Sequence, residues 1–307
     1  MKALVLGGNG FIGSHLVDRL VERGVEVVVL DLRERRFDSI PPQVLFIKGD
    51  LGEDYLVREA LGGIDLVFHL AWTSIHETSI RDPVADIYNN LIPSVQLLEA
   101  CRWAEVRRII FISSGGTIYG QAQSLPIPET HPQNPISAYG VTKLATEKYI
   151  QMFHHLYGLE YAILRPSVPY GPRQNPFGKQ GVIPVFLYRV SHDLPVTIWG
   201  NGDITRDFFY ISDLARALIA GGEFPLEPDP VFNIGGIEEI SLIKLIEIVE
   251  LTVGKKAKIE FQPSRGFDSM HIRLDFQRAQ RVLNWNPQIA LQEGIERTWR
   301  WMKSIIK

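Results

Sequence analysis

A glycine-rich loop near the N-terminus joins a short apolar run to a helical pattern, and this order restricts the fold more than any other feature. The run Ala3–Leu6 predicts a buried strand, and the apolar positions of Phe11–Val21 recur at nearly helical spacing. The loop Gly7–Gly13 connects the two directly. A strand, a glycine loop and a helix in direct succession predict the first unit of an α/β fold with a parallel sheet.

Three of the four glycines in this loop, Gly7, Gly10 and Gly13, stand three positions apart, and each has its own physical use. Gly7 permits a tight turn, Gly10 lets a pyrophosphate approach backbone N–H groups, and Gly13 lets helix and strand pack closely. The N-terminus of the helix adds positive partial charge where the phosphates would lie. We therefore predict a dinucleotide site here, which includes Phe11 and Ile12; the alternative is a tight turn without a ligand.

An acidic residue follows the second predicted strand, Val25–Leu30. Asp31 stands at the spacing expected for a carboxylate that binds the hydroxyl groups of a ribose. Because a carboxylate repels a 2′-phosphate, Asp31 favours NAD over NADP. Three arginines follow, and we expect them to lie in a solvated loop: Arg33, Arg35 and Arg36.

Short apolar runs and amphipathic segments continue to alternate along the chain, which predicts a Rossmann-type, doubly wound parallel sheet. Further strands are predicted at Val44–Ile47, Leu66–Leu70, Arg108–Ile112 and Tyr161–Leu164, and long helices at Ala85–Ala104 and Ala138–Leu156. Prolines and glycines become frequent from about residue 167. We assign residues 1–166 to an NAD-binding domain, to which some later segments return, and residues 167–307 mainly to a smaller, irregular substrate-binding part.

Composition and charge exclude several classes of function. The chain has 307 residues and a net charge of -3, which gives no basic field for nucleic acid or an anionic membrane. Its one cysteine, Cys101, cannot form an internal disulfide, and the histidines show no metal-ligand spacing. With no signal-peptide pattern and no long apolar run, we expect a cytoplasmic protein without a metal.

A tyrosine and a lysine stand four positions apart at the start of a predicted helix. Tyr139 and Lys143 would therefore share one helix face and point into the same site. A neighbouring cation favours the phenolate, so we expect Lys143 to lower the pKa of Tyr139 and make it a usable acid and base. Lysine can also bind the nicotinamide ribose.

These residues resemble the nucleotide-sugar epimerases and dehydratases of the extended short-chain dehydrogenase/reductase family, a group typified by UDP-glucose 4-epimerase. The resemblance covers nearly the whole chain and includes Gly49–Leu51, His69–Ala71, Asn89–Asn90 and the catalytic loop Ser113–Gly120. Beyond the glycine loop and Asp31, it implies cofactor contacts from Asp50, Leu51, Leu70, Ala71, Trp72, Asn90, Ser113, Tyr139, Lys143 and Pro166.

The C-terminal part also carries motifs of this family. Arg206 and Arg265 look like the donors that bind the substrate's diphosphate, and Asp268 looks like an acceptor for its ribose hydroxyls. Tyr170 and Arg173 lie where the family's substrate loop begins. For each arginine, the alternative is a surface ion pair.

The chain departs from the family at the catalytic loop. A serine or threonine of the family falls on Gly115, which has no hydroxyl to offer the sugar. Either Ser114, Thr117 or a water takes that place, or the chemistry differs. A second departure is Val168, where many relatives carry an asparagine.

The resemblance implies epimerisation at C4 of a UDP-hexose, through a transient 4-keto sugar with Tyr139 as acid and base. Dehydration is disfavoured, because Gly116 and Thr117 stand where the dehydratases carry an acidic pair. The alternatives are an NAD(P)H-dependent reductase of a 4-keto-6-deoxy sugar and a non-catalytic dinucleotide sensor. Relatives commonly form homodimers through the helices predicted at 85–104 and 138–156, and we expect the same here.

Overall fold

A computed structural model gives the fold of the protein. It describes residues 1–32, 41–178, 180–225, 227–264 and 269–306. Its strands are β1 (Lys2–Leu6), β2 (Glu26–Asp31), β3 (Leu45–Lys48), β4 (Leu66–His69), β5 (Arg108–Ile112), β6 (Glu160–Pro166), β7 (Val168–Tyr170), β8 (Pro195–Trp199), β9 (Thr205–Arg206), β10 (Phe208–Tyr210), β11 (Val231–Ile234), β12 (Ile240–Ser241), β13 (Lys258–Gln262) and β14 (His271–Ile272).

Its helices lie mostly between these strands. They are α1 (Phe11–Glu22), α2 (Asp54–Ala60), α3 (His76–Arg81), α4 (Pro83–Asp86), α5 (Ile92–Trp103), α6 (Ala138–Tyr157), α7 (Val182–Ser191), α8 (Ile211–Glu223), α9 (Leu242–Val253), α10 (Gln277–Val282) and α11 (Leu291–Ile305). Within the described residues, none is both long and apolar enough to span a bilayer.

Seven parallel strands of the described chain form the central sheet, in the order β11-β6-β5-β4-β1-β2-β3. Apolar side chains of its central strands are buried on both faces, which places one core cluster on each side of the sheet. The order runs outward in both directions from the β1–β4 pair, so the chain changes direction of winding there. The predicted doubly wound α/β fold is confirmed.

The helix predicted at Ala85–Ala104 is interrupted. A π-helical turn, Ile87–Leu91, lies between α4 and α5. Pro93, at the start of α5, has no N–H to donate to the carbonyl of Asn89, so regular α-helical bonding cannot continue through this point. A helical period in the apolar residues does not reveal this interruption, because the side chains keep a buried face on both sides of it.

The smaller part of the protein is not a separate segment of chain. Residues from 167 onward build small sheets, such as β12-β9-β14 and β13-β8, with α7, α9 and α11 packed around them. The strand β11 nevertheless pairs with β6 at the edge of the central sheet, and α8 packs against α1. The two parts therefore share one apolar core, with a seam at the carboxyl ends of the central strands.

Asp207 joins several segments of this seam from a fully buried position. Its carboxylate accepts a hydrogen bond from Leu274 N at 3.0 Å, and its backbone carbonyl accepts one from Ser167 Oγ at 2.7 Å. Burial raises the pKa of the Asp207 carboxyl to about 8, against the opposing effect of the Leu274 hydrogen bond. The carboxyl is therefore mostly protonated at neutral pH.

We predict that Asp207→Asn removes a pH dependence of stability. The folded carboxyl titrates near 8, whereas an unfolded aspartate titrates at about 3.9. The folded state thus binds the extra proton between these values, so its stability decreases as pH rises through this window and levels off above it. Asparagine resembles the protonated carboxyl and should be more stable than wild type at pH 9, by about 1–3 kcal/mol.

Urea unfolding between pH 5 and pH 9 measures this difference. Asp203→Asn, at an exposed aspartate of the same region, is the matched control and should run parallel to wild type at every pH. Equal pH slopes for wild type and Asp207→Asn would show that the carboxyl does not titrate in this range.

Candidate functional site

The carboxyl ends of β1, β4 and β5 meet where the chain changes its direction of winding. Leu6 lies beside His69, and His69 lies beside Phe111, so the loops after these strands start from one edge of the sheet. Ligands of doubly wound sheets bind in the crevice at this point. The predicted glycine loop and catalytic loop both start here, which brings them to the same crevice.

The glycine loop has the compact geometry that the sequence predicts. Gly7 has a φ of 81°, which glycine adopts without strain. A Cβ on Gly13 would lie 2.2 Å from the carbonyl oxygen of Gly7, so only glycine allows α1 to approach the loop. Gly8 has the same constraint, which the sequence did not reveal, because a Cβ there would lie 2.7 Å from Val29.

The start of α1 fits a dinucleotide pyrophosphate. Its N-cap is Gly10, with no side-chain cap, and its first turn has no acidic residue. The N–H groups at this end therefore remain oriented toward the crevice, with the positive end of the helix behind them. A Cβ on Gly10 would meet only the oxygen of Gly7, at 3.2 Å, so the other side of the loop is open to a ligand.

The adenosine end of the predicted cofactor site follows β2 and β3. Asp31 Oδ2 accepts a hydrogen bond from Asn9 N at 2.9 Å, which places the carboxylate beside the glycine loop. Asp50 Oδ1 accepts one from Gly52 N at 2.7 Å, and Leu51 packs partly against the core. These positions are compatible with the predicted contacts to ribose and adenine.

Tyr139 lies in the first turn of α6. Ser137 caps this helix by accepting a hydrogen bond from Gly140 N at 3.2 Å. Tyr139 N donates to Ser79 Oγ at 3.1 Å, which ties the start of α6 to α3. Among the groups that act on the phenol, Ser114 of the catalytic loop is the one that favours its phenolate. Of the replacements considered for the missing hydroxyl, Ser114 is therefore the one that acts on Tyr139.

Lys143 lies one turn further along α6 and is 2% exposed. Its ammonium donates to the carbonyl of Ile112, at the end of β5, over 2.8 Å. The same Nζ lies 3.7 Å from the ring centroid of Trp72 and 5.8 Å from that of Tyr139. Sequence spacing thus correctly places both side chains on one face of the helix.

The expected lowering of the Tyr139 pKa is wrong for the protein alone. Burial, followed by the negative charge of Asp86, raises the pKa of Tyr139 above its ordinary value, and only the Ser114 hydrogen bond opposes this. Burial also lowers the pKa of Lys143 well below its usual range, against the charges of Glu147 and Asp86. The sequence spacing does not show that both groups are desolvated or that a carboxylate lies beside them.

Several other predicted cofactor residues line the same edge. A Cβ on Gly7 would lie 2.9 Å from Ala71 N, and Leu70 N donates to Leu6 O at 3.1 Å. Ser113 Oγ is buried and has no hydrogen-bond partner among the described residues, so it offers a free hydroxyl to a ligand. Pro166 O accepts from Gly115 N at 2.9 Å and thereby holds the catalytic loop.

Asn90 has a different immediate role from the predicted cofactor contact. Its Oδ1 accepts from the backbone and the hydroxyl of Thr73, and its Nδ2 donates to Ser74 Oγ and Asp86 Oδ1. These bonds use both lone pairs and both donors of the amide. Asn90 therefore fixes the segment after β4, which carries Trp72, with all the hydrogen-bonding groups of its side chain, and its predicted cofactor contact stays a prediction.

The catalytic loop excludes a side chain at Gly115. A Cβ there would lie 2.4 Å from Leu274 Cδ1 and 2.9 Å from the carbonyl oxygen of Arg165. Thr117 is buried, and its hydroxyl points back to the carbonyl of Ser114 at 3.4 Å. Glycine at this position is thus a packing requirement of this loop.

The structure corrects one of the predicted substrate residues, Tyr170, and gives another, Arg173, a partner, while the predicted substrate contact of Arg173 stays a prediction. Tyr170 is 2% exposed in the core, and its hydroxyl donates to Leu291 O at 3.0 Å, because β7 runs beneath α11. Arg173 forms an ion pair with Asp18 of α1 at 2.5 Å, so it links the smaller part to the NAD-binding domain. The proline- and glycine-rich composition of this segment gave no indication of either contact.

The remaining substrate predictions concern the strand β9 and the segment before β14. Arg206 donates to the carbonyls of Thr205 and Met270, at 2.7 and 3.3 Å, and its predicted diphosphate contact stays a prediction. Arg265 and Asp268 lie outside the described residues, as do Arg33, Arg35 and Arg36.

Sequence reasoning missed two residues that lie beside Tyr139. The ring of His76, on α3, lies 5.2 Å from the Tyr139 ring. Asp86 is 2% exposed and accepts a hydrogen bond from Thr142 Oγ1 at 2.6 Å. Asp86 precedes Asn90 by four positions on a helical segment, a spacing that could have identified the pair, whereas nothing in the sequence indicates His76.

Comparisons with known proteins agree with this geometry. Residues 3–235 match the model of the NAD dependent epimerase/dehydratase family. A putative UDP-glucose 4-epimerase of Methanocaldococcus jannaschii is 37% identical over 98% of each chain. A dTDP-4-dehydro-6-deoxyglucose reductase of Escherichia coli is 35% identical over 96% of this chain and 95% of its own.

Solved structures show the same similarity. UDP-glucose 4-epimerase of Thermotoga maritima, crystallised with UDP-glucose, has a TM-score of 0.95 and 35% identity over all of both chains. UDP-glucose 4-epimerase of Thermus thermophilus, complexed with NAD, has a TM-score of 0.92 and 34% identity, also over all of both chains.

We predict that Gly115→Ser destabilises the protein instead of restoring a catalytic hydroxyl. The new Cβ would overlap Leu274 and the backbone of Arg165, and overpacking of this kind costs about 1–3 kcal/mol. The matched control is Gly116→Ser, because a Cβ there meets only Ile272 Cδ1 at an ordinary 3.6 Å. Thermal unfolding of both variants tests this; equal melting temperatures would show that the loop relaxes around the new side chain.

Proposed function

The chain belongs to the NAD-dependent epimerase/dehydratase family, and from this premise we propose that it interconverts UDP-glucose and UDP-galactose by inverting C4. It is an NAD-dependent enzyme of the UDP-sugar epimerase group. The observation that carries the proposal is the position of Tyr139 one helical turn from Lys143, whose ammonium binds the Ile112 carbonyl at the edge of the sheet where the glycine loop lies.

Each of these side chains has a defined task in the proposed reaction. Tyr139 accepts the proton of the 4-hydroxyl and later returns it, and the hydrogen bond from Ser114 stabilises the phenolate while it exists. Lys143 supplies positive charge beside the phenolate and a donor for a ribose hydroxyl. Bound NAD would supply an acceptor and donor of hydride for C4 and a positive charge beside the phenolate, and the start of α1, Asp31 and Ser113 would hold it.

The cofactor residues support a redox cycle without net consumption of reductant. The start of α1 provides backbone donors for the pyrophosphate, and Ser113 provides a buried hydroxyl with no protein partner among the described residues. Asp31 favours NAD, which suits an enzyme that regenerates its cofactor in every turnover. Gly116 and Thr117 provide no acid for elimination, so dehydration is disfavoured.

A second candidate is the reduction of a 4-keto-6-deoxy nucleotide sugar. The 35% identity with the Escherichia coli reductase favours it, whereas Asp31 argues against NADPH as the reductant. UDP-glucose is our first choice among the sugars, because relatives named for this substrate match nearly the full chain.

We predict that the purified protein interconverts UDP-glucose and UDP-galactose, as measured by chromatography of the sugar nucleotides. The absorbance at 340 nm, which follows the reduced cofactor, should show no net change. Tyr139→Phe should lower kcat by about 10²–10⁴-fold, since positioned acid–base groups contribute this much. Tyr55→Phe, at an exposed tyrosine of α2, is the matched control and should keep full activity.

The outcomes separate the candidates. Net loss of NADPH with a 4-keto-6-deoxy sugar, and no epimerisation, would identify the reductase. Binding of NAD and UDP-sugars without turnover of any sugar in a panel that includes N-acetylated and uronic forms would identify a sensor. A Tyr139→Phe variant with undiminished kcat would remove this tyrosine from the mechanism.

We also propose a homodimer that buries the outer faces of α5 and α6. These helices pack side by side at one surface. Large apolar side chains are exposed on α6, at the start of α5, and on α4 and the π-helical turn that precede α5, which is the composition of a stable interface: Val84, Ile87, Tyr88, Ile92, Val141, Tyr149, Met152 and Leu156.

We predict that Met152→Glu raises the dissociation constant of the dimer at least tenfold, because it brings an unpaired charge from each subunit to an apolar interface. Sedimentation at several protein concentrations measures the dissociation. Leu251→Glu is the matched control: Leu251 is 79% exposed on α9, away from these helices, and its replacement should leave the dimer intact. A wild-type chain that sediments as a monomer at all concentrations contradicts the proposal.

A further inference from the structure

Trp72, in the segment after β4, covers the ammonium group of Lys143. Lys143 Nζ lies 3.7 Å from the centroid of the indole ring and 4.7 Å from that of Phe111. The face of an aromatic ring attracts a cation, most strongly when the cation is removed from water, and indole does so best. Lys143 is 2% exposed, so two aromatic faces and the Ile112 carbonyl take the place of hydration.

Trp72 also contacts the other member of the pair. Its ring meets the Tyr139 ring edge to face, with centroids 6.1 Å apart and planes at 77°. Its Nε1 is buried and has no hydrogen-bond partner among the described residues, so packing alone sets the orientation of the ring. The neighbouring backbone is fixed by Asn90, which accepts from Thr73 N at 2.8 Å. The indole is thus held between Lys143 and Tyr139.

Few charged groups around Lys143 are available to stabilise its ammonium, so the contact with Trp72 is an important part of that stabilisation. Glu147 lies one turn further along α6, but its carboxylate is paired with Arg165 at 2.6 Å. Asp86, on α4, supplies the other negative charge. His69, on β4, stays neutral, because burial and the Lys143 charge lower its pKa to about 3. Tyr139 and, beyond it, His76 are the remaining titratable groups on this side.

We propose that Trp72 is a positioning residue that keeps Lys143 charged and directed at the end of β5, through a cation–π contact with its ammonium. Its effect on catalysis rests on the proposed function, because only there does Lys143 act on Tyr139 during turnover. Its effect on the charge of Lys143 is a property of the protein itself and can be measured without any substrate.

The direct test compares Trp72→Phe with Trp72→Leu. Both variants shorten the side chain, but only phenylalanine keeps an aromatic face. In protein labelled with ¹³C-lysine, the ring current of Trp72 should shift the Lys143 ε-CH₂ signal upfield, with the signal assigned by its loss in Lys143→Met. Because the rings of Phe111 and Tyr139 remain near Lys143, we expect the shift to decrease strongly in Trp72→Leu and less in Trp72→Phe.

The ionisation of Lys143 follows from the same spectra recorded against pH. Burial already lowers the pKa of Lys143, and loss of the aromatic face removes a contact that favours the ammonium. The midpoint of the Lys143 titration should therefore move to lower pH in Trp72→Leu, by roughly one pH unit, and by less in Trp72→Phe. Trp103→Leu, at a tryptophan that is 68% exposed, should change nothing.

The expected change in the pH dependence of kcat has the same direction as the change in the Lys143 titration. If Lys143 must be charged, the alkaline limb of the kcat profile moves to lower pH in Trp72→Leu, and less so in Trp72→Phe. Equal Lys143 titration midpoints in wild type and Trp72→Leu overturn the proposal. An equal displacement of the midpoint in Trp72→Leu and Trp72→Phe also overturns it, because the change would then come from the smaller side-chain volume and not from the loss of the aromatic face. Absence of turnover in wild type defeats the proposed function instead and leaves the spectroscopic test intact.

Discussion

The hydrogen bond from the buried Lys143 ammonium to the Ile112 carbonyl is the contact on which the site depends. It fastens the first turns of α6 to the end of β5 over 2.8 Å. Because β5, β4 and β1 end at the same edge, this bond also sets the distance between Tyr139 and the glycine loop. A desolvated ammonium requires such a partner. The same hydrogen bond therefore positions Tyr139 and stabilises the junction between α6 and β5.

Further along α6, a second buried contact fixes the helix to the sheet. Arg165 on β6 binds both carboxylate oxygens of Glu147 and donates to Tyr119 OH at 2.9 Å, which in turn donates to Asn233 on β11. A pair of this kind contributes little net stability, but breaking it costs about 3–5 kcal/mol. It therefore specifies where α6, the catalytic loop and the edge strand meet.

The fold and the compact geometry of the glycine loop could be predicted from sequence because their determinants are local. Apolar runs identify strands, and the loop Gly7–Gly13 follows from backbone geometry that other residues cannot adopt. The raised pKa of Tyr139 could not be predicted, because burial and, after it, the charge of Asp86 act on the phenol only in the folded chain. Tyr170 and Arg173 likewise find partners on α11 and α1, distant in sequence, so a loop-like composition gave the wrong environment.

The packing of Leu274 against Gly115 has a consequence for biosynthesis. One wall of the catalytic loop comes from near the C-terminus, where Leu274 also bridges to Ile127 and donates its N–H to the Asp207 carboxylate. A nascent chain on the ribosome can complete most strands of the central sheet well before this wall exists. The loop that would direct hydride and proton to a sugar therefore acquires its shape only after Leu274 has been made, roughly 100 residues after the end of β6.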